Sequence, residues 1–191
     1  WSFDPDPAVE DWSSFRHDPG RSGCSPSNVP TALSTLWQAR PGGRLSAPVI
    51  ADGRVFVASA ETQTLYALDA VSGVPLWDVT AGGPIDSPPT VNGGRVFLGS
   101  RDGRITCLRA ADGEVIWQVR AGPEDRRIVA YGRLESVWPV HGSVLVHDGC
   151  VYAAAGRSSY LDGGIEVYRL DARDGEVLTT QRLYDRDTPG Q

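Results

Sequence analysis

Tryptophan recurs every 40 residues in this chain, at Trp37, Trp77 and Trp117, and the text before the last two nearly repeats itself. Residues 46–77 (SAPVIADGRVFVASAETQTLYALDAVSGVPLW) lie over residues 87–117 (SPPTVNGGRVFLGSRDGRITCLRAADGEVIW) with a one-residue difference in length. A period of about 40 residues that holds several short strands marks the blade of a β-propeller. One such unit cannot bury its apolar face alone, so it depends on its neighbours. Residues shared by every copy therefore serve adhesion between copies, and binding or chemistry is to be sought where the repeat breaks.

Within the first full copy, apolar and polar residues alternate with period two, and turn signals cut the pattern into four strands. These are expected at about 47–51, 54–59, 64–69 and 75–80, with Asp52-Gly53 and Ser72-Gly73 as turns. The second copy repeats them at 95–100, 104–109 and 115–120. A third, stretched copy is anchored by Asp148-Gly149-Cys150-Val151-Tyr152 and by Leu170-Asp171-Ala172-Arg173-Asp174-Gly175, with Thr179 where the others carry tryptophan. No segment shows a helical period.

The expected fold is all-β: a partial propeller of about three four-stranded antiparallel blades plus one extra N-terminal outer strand around Trp37. The organisation reads as a leader (1–32), a lone outer strand and linker (33–45), blade 1 (46–83), blade 2 (84–123), blade 3 with two insertions (124–182) and a tail (183–191). Closed propellers need at least four blades. Remaining blades or a second copy are thus expected to close the ring. A chain that opens on Trp1 and contains no Met is expected of an excised or processed piece.

The net charge of −6 lacks the clustered basic surface that tracks phosphates, so nucleic acid is not an expected partner. No apolar run reaches the length of a membrane span. Cys24, Cys107 and Cys150 lie far apart, with neither metal-ligand spacing nor a disulfide framework.

The turn before Trp77 carries a family resemblance. Ala67, Asp69, Gly73 and Trp77, with Ser72 in place of the usual Thr, resemble the tryptophan-docking motif of PQQ-like, quinoprotein-type propellers. The second copy keeps Gly113 and Trp117 but has Cys107 and Arg109 at the Ala and Asp positions. The leader from Asp11 to Gly23, with Trp12, Phe15 and Arg16, is similar to the lead-in of the same proteins. The resemblance covers about residues 11–182.

Quinoprotein dehydrogenases of this family hold pyrroloquinoline quinone between a tryptophan and a disulfide of adjacent cysteines, beside calcium bound by Glu, Asn and Asp. This chain has no adjacent cysteine pair, and the calcium ligands map to no position in it. The resemblance therefore implies a relative of the non-enzymatic members, such as those that scaffold outer-membrane protein assembly. Neither cofactor nor metal is expected, and the implied location is periplasmic or otherwise exported. The alternative is part of a quinoprotein oxidoreductase whose cofactor residues lie outside this chain.

Both large departures from the repeat fall in blade 3. One lengthens the linker ahead of its first strand, at 122–142, and the other lengthens its b–c connection, at 156–164. In an up-and-down sheet the d–a and b–c connections leave on one face, so both insertions are expected together. Arg126, Arg127, Arg133 and Arg157 suit forked hydrogen bonds to an anion. Tyr131, Trp138 and Tyr160 suit stacking on a sugar ring or side chain. Glu135, His141 and Asp162 supply acceptors. Glu135 and Asp162 are the only candidate acid/base pair, and no nucleophile, phosphate-loop or zinc motif accompanies them. Two readings stay open for the cluster: a site for a protein, small-molecule or glycan ligand, or a long loop ordered by its own ion pairs around a Trp138-Pro139 plug.

Overall fold

The computed structural model describes residues 11–185. Residues 1–10 of the expected leader and 186–191 of the tail lie outside them. Each blade is one antiparallel sheet in simple sequence order. Blade 1 is β1 (Val49–Ala51), β2 (Arg54–Ser59), β3 (Thr64–Asp69) and β4 (Pro75–Thr80). Blade 2 is β5 (Thr90–Asn92), β6 (Arg95–Ser100), β7 (Arg104–Arg109) and β8 (Val115–Arg120). A separate hairpin follows, β9 (Arg127–Ala130) with β10 (Arg133–Ser136). Blade 3 is β11 (Leu145–His147), β12 (Cys150–Ala155), β13 (Ile165–Asp171) and β14 (Val177–Leu183). No helix of the described residues is long and apolar enough to cross a membrane.

Strand alternation decides the core. In blade 2, Val96, Leu98 and Leu108 join Val49, Phe56 and Leu65 of blade 1 in one buried cluster. Phe97, Ile105 and Cys107, one residue out of phase, join Val151, Tyr168 and Leu170 of blade 3 in another. A slip of one residue would exchange the two faces. Burying each such large side chain contributes about 1.5–3 kcal/mol, so the middle blade is fixed from both sides. The short strands β1, β5 and β11 are neighbours on the inner side of the arc. The leader crosses there: the Ile50 N–H donates to the Trp12 carbonyl at 2.8 Å and the Val91 N–H to the Ser13 carbonyl at 2.7 Å.

Outer joints repeat from blade to blade. The indole N–H of Trp77 donates to the Ala110 carbonyl at 3.0 Å, and that of Trp117 to the Ala172 carbonyl at 3.1 Å. Each ring lies on the c–d turn of the next sheet, against Gly113 and Gly175, where an added Cβ would sit 2.7 and 2.8 Å from the ring. Both glycines hold a φ of 78°, so the turn needs glycine for conformation as well as for space. Every blade has a register shift at the same place ahead of this turn, after Ala67, Cys107 and Arg169. Asp69 accepts the Ser72 N–H at 2.7 Å and Asp171 the Arg173 N–H at 2.8 Å, which closes the turns.

Residues 33–39, read as a lone strand from sequence, make no strand pairing among the described residues. Their tryptophan still takes the outer-strand place. Trp37 donates to the Ala70 carbonyl at 3.0 Å and lies on Gly73, as Trp77 lies on Gly113. The physical reason is simple: an outer strand needs a third strand beside it, and none precedes this one in the chain described.

Candidate functional site: an arginine-lined cleft

The β9–β10 hairpin is the part of the 122–142 insertion that sequence reading took for loop. Its four residue pairs close over Tyr131-Gly132, both with positive φ (51° and 73°), the geometry of a two-residue hairpin turn. The hairpin reaches back across the arc. From it, the Arg133 Nη1–H donates to the carbonyls of Ala60 (3.1 Å) and Glu61 (3.3 Å) in the b–c loop of blade 1. Beneath it lies a cleft of about 580 Å³. The walls come from all three blades and the linker ahead of them: Arg44 from the linker, Ala60 and Glu61 from blade 1, Pro84 and Arg101 from blade 2, and Tyr131, Arg133, Glu135, His141 and Arg157 from the insertions and blade 3.

One ion-pair chain runs through the wall. Glu135 has no exposed surface. It accepts Arg101 Nη1–H at 3.0 Å on one oxygen and Arg157 Nη2–H at 2.5 Å on the other. Arg101 also donates Nε–H to Asp86 at 2.8 Å, and His141 Nδ1 lies 3.1 Å from the same Asp86 oxygen. Burial raises both carboxyls, but the hydrogen bonds outweigh it. Arg157 and Arg101 hold Glu135 below its usual range, and His141 and Arg101 do the same for Asp86. Both are therefore charged, and neither is free to act as a proton donor near neutral pH.

Of the residues singled out from sequence, Tyr131, Arg133, Glu135, His141 and Arg157 meet at this cleft, and the other five do not. Arg126 pairs with Asp162 at 2.6 Å and with Glu124 at 3.6 Å, and lies 5.3 Å over the Trp138 ring. Trp138 is 3% exposed and sits in the core between blades 2 and 3, its ring against Gly122. Arg127 reaches only Asp125, at 3.5 Å. Tyr160 stands outside with its hydroxyl toward Asp185. Glu135 and Asp162, the candidate acid/base pair, are thus held by different arginines in different networks. Asp86 and Arg101 were missed because they lie in stretches that look like ordinary repeat, and Arg44 because it sits in the linker ahead of the first full copy. The one signal for Arg101 was its place in the b–c loop of blade 2, on the same face as both insertions.

The chain's residues do not fit pyrroloquinoline quinone. Cys24, Cys107 and Cys150 are all free, with Cys107 and Cys150 in different sheets. The rings of Trp37, Trp77 and Trp117 are spent on the glycine turns of neighbouring blades. Among the described residues no group of three or more His, Cys, Asp or Glu side chains is placed to hold a metal ion.

No curated protein matches this chain. Solved structures do. BamB from Moraxella catarrhalis superposes with a TM-score of 0.54 at 20% identity, over 73% of this chain and 37% of that one. Quinohemoprotein alcohol dehydrogenase from Comamonas testosteroni superposes with a TM-score of 0.71 at 19% identity, over 91% of this chain and 27% of that one. A europium-containing methanol dehydrogenase gives a TM-score of 0.71 at 17% identity, over 92% and 32%. The chain thus spans 27–37% of the length of these structures, and likeness at such identities speaks to fold alone. A family model described as outer membrane protein assembly factor BamB matches residues 30–188, most of the sequence. By that match the chain belongs to this family of PQQ-like β-propeller repeat proteins.

Proposed function

We propose that this chain is a non-catalytic part of a larger propeller that binds a ligand or protein partner through its loop-rich face. The observation that carries the reading is the cleft under the β9–β10 hairpin, walled by all three blades and lined by four arginines. Loops on a rigid scaffold are where recognition residues gather. Glu135 and Asp86 are tied into ion pairs with Arg101, Arg157 and His141, so neither is free to serve as an acid or base. Further blades or a second copy complete the ring. A periplasmic or otherwise exported compartment accompanies this reading, supported by the family's description as an outer membrane assembly factor, and cell fractionation tests it.

The experiment is site-specific photo-crosslinking in cells that make the whole protein. A photoreactive residue at Tyr131 on the cleft is compared with one at Val71, which is exposed on the opposite face. Adducts at position 131 and none at 71 are expected. Equal capture at both positions overturns the reading. Oxidation of an alcohol with a dye acceptor, after quinone and calcium are supplied to the whole protein, overturns its non-catalytic half.

A further inference from the structure

The two exposed arginines of the insertion that face away from the cleft have their partners within the loops: Arg126 in Asp162 and Glu124, and Arg127 in Asp125. Loop packing accounts for them. It does not account for Arg44 and Arg133. Neither has a carboxylate partner among the described residues; the Arg133 side chain is held by two backbone carbonyls and the Arg44 side chain by no hydrogen bond or ion pair, yet both line the same cleft. Two guanidiniums that line one cleft without carboxylate partners repel one another, and an anion between them removes that cost.

The local charge balance indicates what size of anion. Four guanidiniums (Arg44, Arg101, Arg133, Arg157) meet three carboxylates, those of Glu61, Asp86 and Glu135. One positive charge is left over. A monoanion closes that balance and a phosphate dianion exceeds it. Donors also outnumber acceptors, since the Arg157 Nε–H is buried without a partner. Beside them the Tyr131 ring is 87% exposed, a flat apolar surface at the cleft's rim. A cleft of about 580 Å³ lies in the size range of small-ligand sites.

We infer that the cleft takes a small monocarboxylate carried on a ring, its carboxylate held by Arg133 and Arg44 and its ring face laid on Tyr131. The inference rests on the loop-rich face being the binding face. Arg101 and Arg157 act as positioning residues: their pairing with Glu135 fixes the wall from which the hairpin projects. A sugar acid and an aromatic acid share the recognised chemistry, a carboxylate beside a flat apolar face.

Titration calorimetry on the whole chain with four probes separates the outcomes: D-glucuronate, benzoate, D-glucose and inorganic phosphate. One or both carboxylates are expected to bind, more weakly as salt rises, with glucose and phosphate at least about tenfold weaker, the worth of one charge-assisted contact. The better of the two carboxylates tells a sugar source from an aromatic one. R44Q and R133Q should each weaken that binding at least about tenfold. R126Q, whose guanidinium is paired outside the cleft, should leave it unchanged. Melting temperatures accompany each variant; R44Q removes no side-chain hydrogen bond or ion pair among the described residues and so keeps the test valid where R133Q loosens the hairpin. Phosphate binding as tightly as the carboxylates, glucose binding as tightly as glucuronate, indifference to R44Q, or no carboxylate binding each overturns the inference. A protein that still cross-links through position 131 while ignoring both carboxylates loses this inference alone.

Discussion

The outer joints and the cleft are built from the same sheets and obey opposite rules. At the joints, three indoles at 40-residue spacing make the same hydrogen bond, within 3.0–3.1 Å, on the same kind of glycine turn. At the cleft, no two blades contribute alike: two loop carbonyls that receive Arg133 from the first, a doubly paired guanidinium from the second, a whole hairpin from the third. Joints must satisfy a neighbour whose geometry never changes, so one solution is copied. Loops on the other face satisfy no such neighbour, so they diverge without disturbing the blades.

The largest effect expected is at the joints. Trp117→Ala removes a ring that is 7% exposed and should cost about 3–5 kcal/mol in denaturant unfolding. Trp77→Ala, at the half-buried joint, should cost less. A Trp117 loss near zero would mean that the joints are decorative and break the contrast. Glu135→Gln leaves Arg101 and Arg157 facing a neutral amide; with both guanidiniums partly exposed, a loss of about 2 kcal/mol is expected. Gly113→Ala forces a Cβ into Trp77 at a φ of 78° and should cost about 1–3 kcal/mol, read as a lower denaturation midpoint at unchanged slope.

Acid should sharpen the comparison, because depressed carboxyls occur on both sides of it. Arg173 donors bring Asp171 down to about 2 at a turn, and Glu135 and Asp86 are lowered at the cleft. A group lowered on folding binds fewer protons in the native state than in the unfolded one. Its contribution is complete above the unfolded values of 4.5 (Glu135) and 3.8 (Asp86, Asp171) and disappears as pH falls through the folded ones. Tryptophan fluorescence should thus report constant stability above about pH 5 and a decline from there toward 2. Stability that rises on acidification over that interval contradicts the assignment. Smallest of all, Arg126→Ala removes an exposed pair with Asp162 and should shift stability by under about 1 kcal/mol.

The blades were legible because two periods coincide: alternation within strands and the 40-residue return of tryptophan. Strands β2, β3, β4 and β6 to β8 fall on the residues that turn dipeptides marked out. The hairpin was not legible because its strands are only four residues long and half in solvent, so Arg127-Ile128-Val129-Ala130 alternates too briefly to stand out. Tyr131-Gly132 was its one sign. The cleft was half legible. Insertions announced Arg133, Glu135 and Arg157, whereas Asp86 and Arg101 look like repeat, and Arg44 like linker, until three blades are folded side by side. Of the two readings left open for Trp138, a stacking surface or a plug, the structure has the packed one: its ring fills the core.

Thr179 stands where a fourth indole would be, and Trp37 already fills the receiving turn at Gly73. Whatever packs on the outer strand of blade 3 therefore meets a threonine, and must be gripped without the indole hydrogen bond that clasps each of the three joints before it.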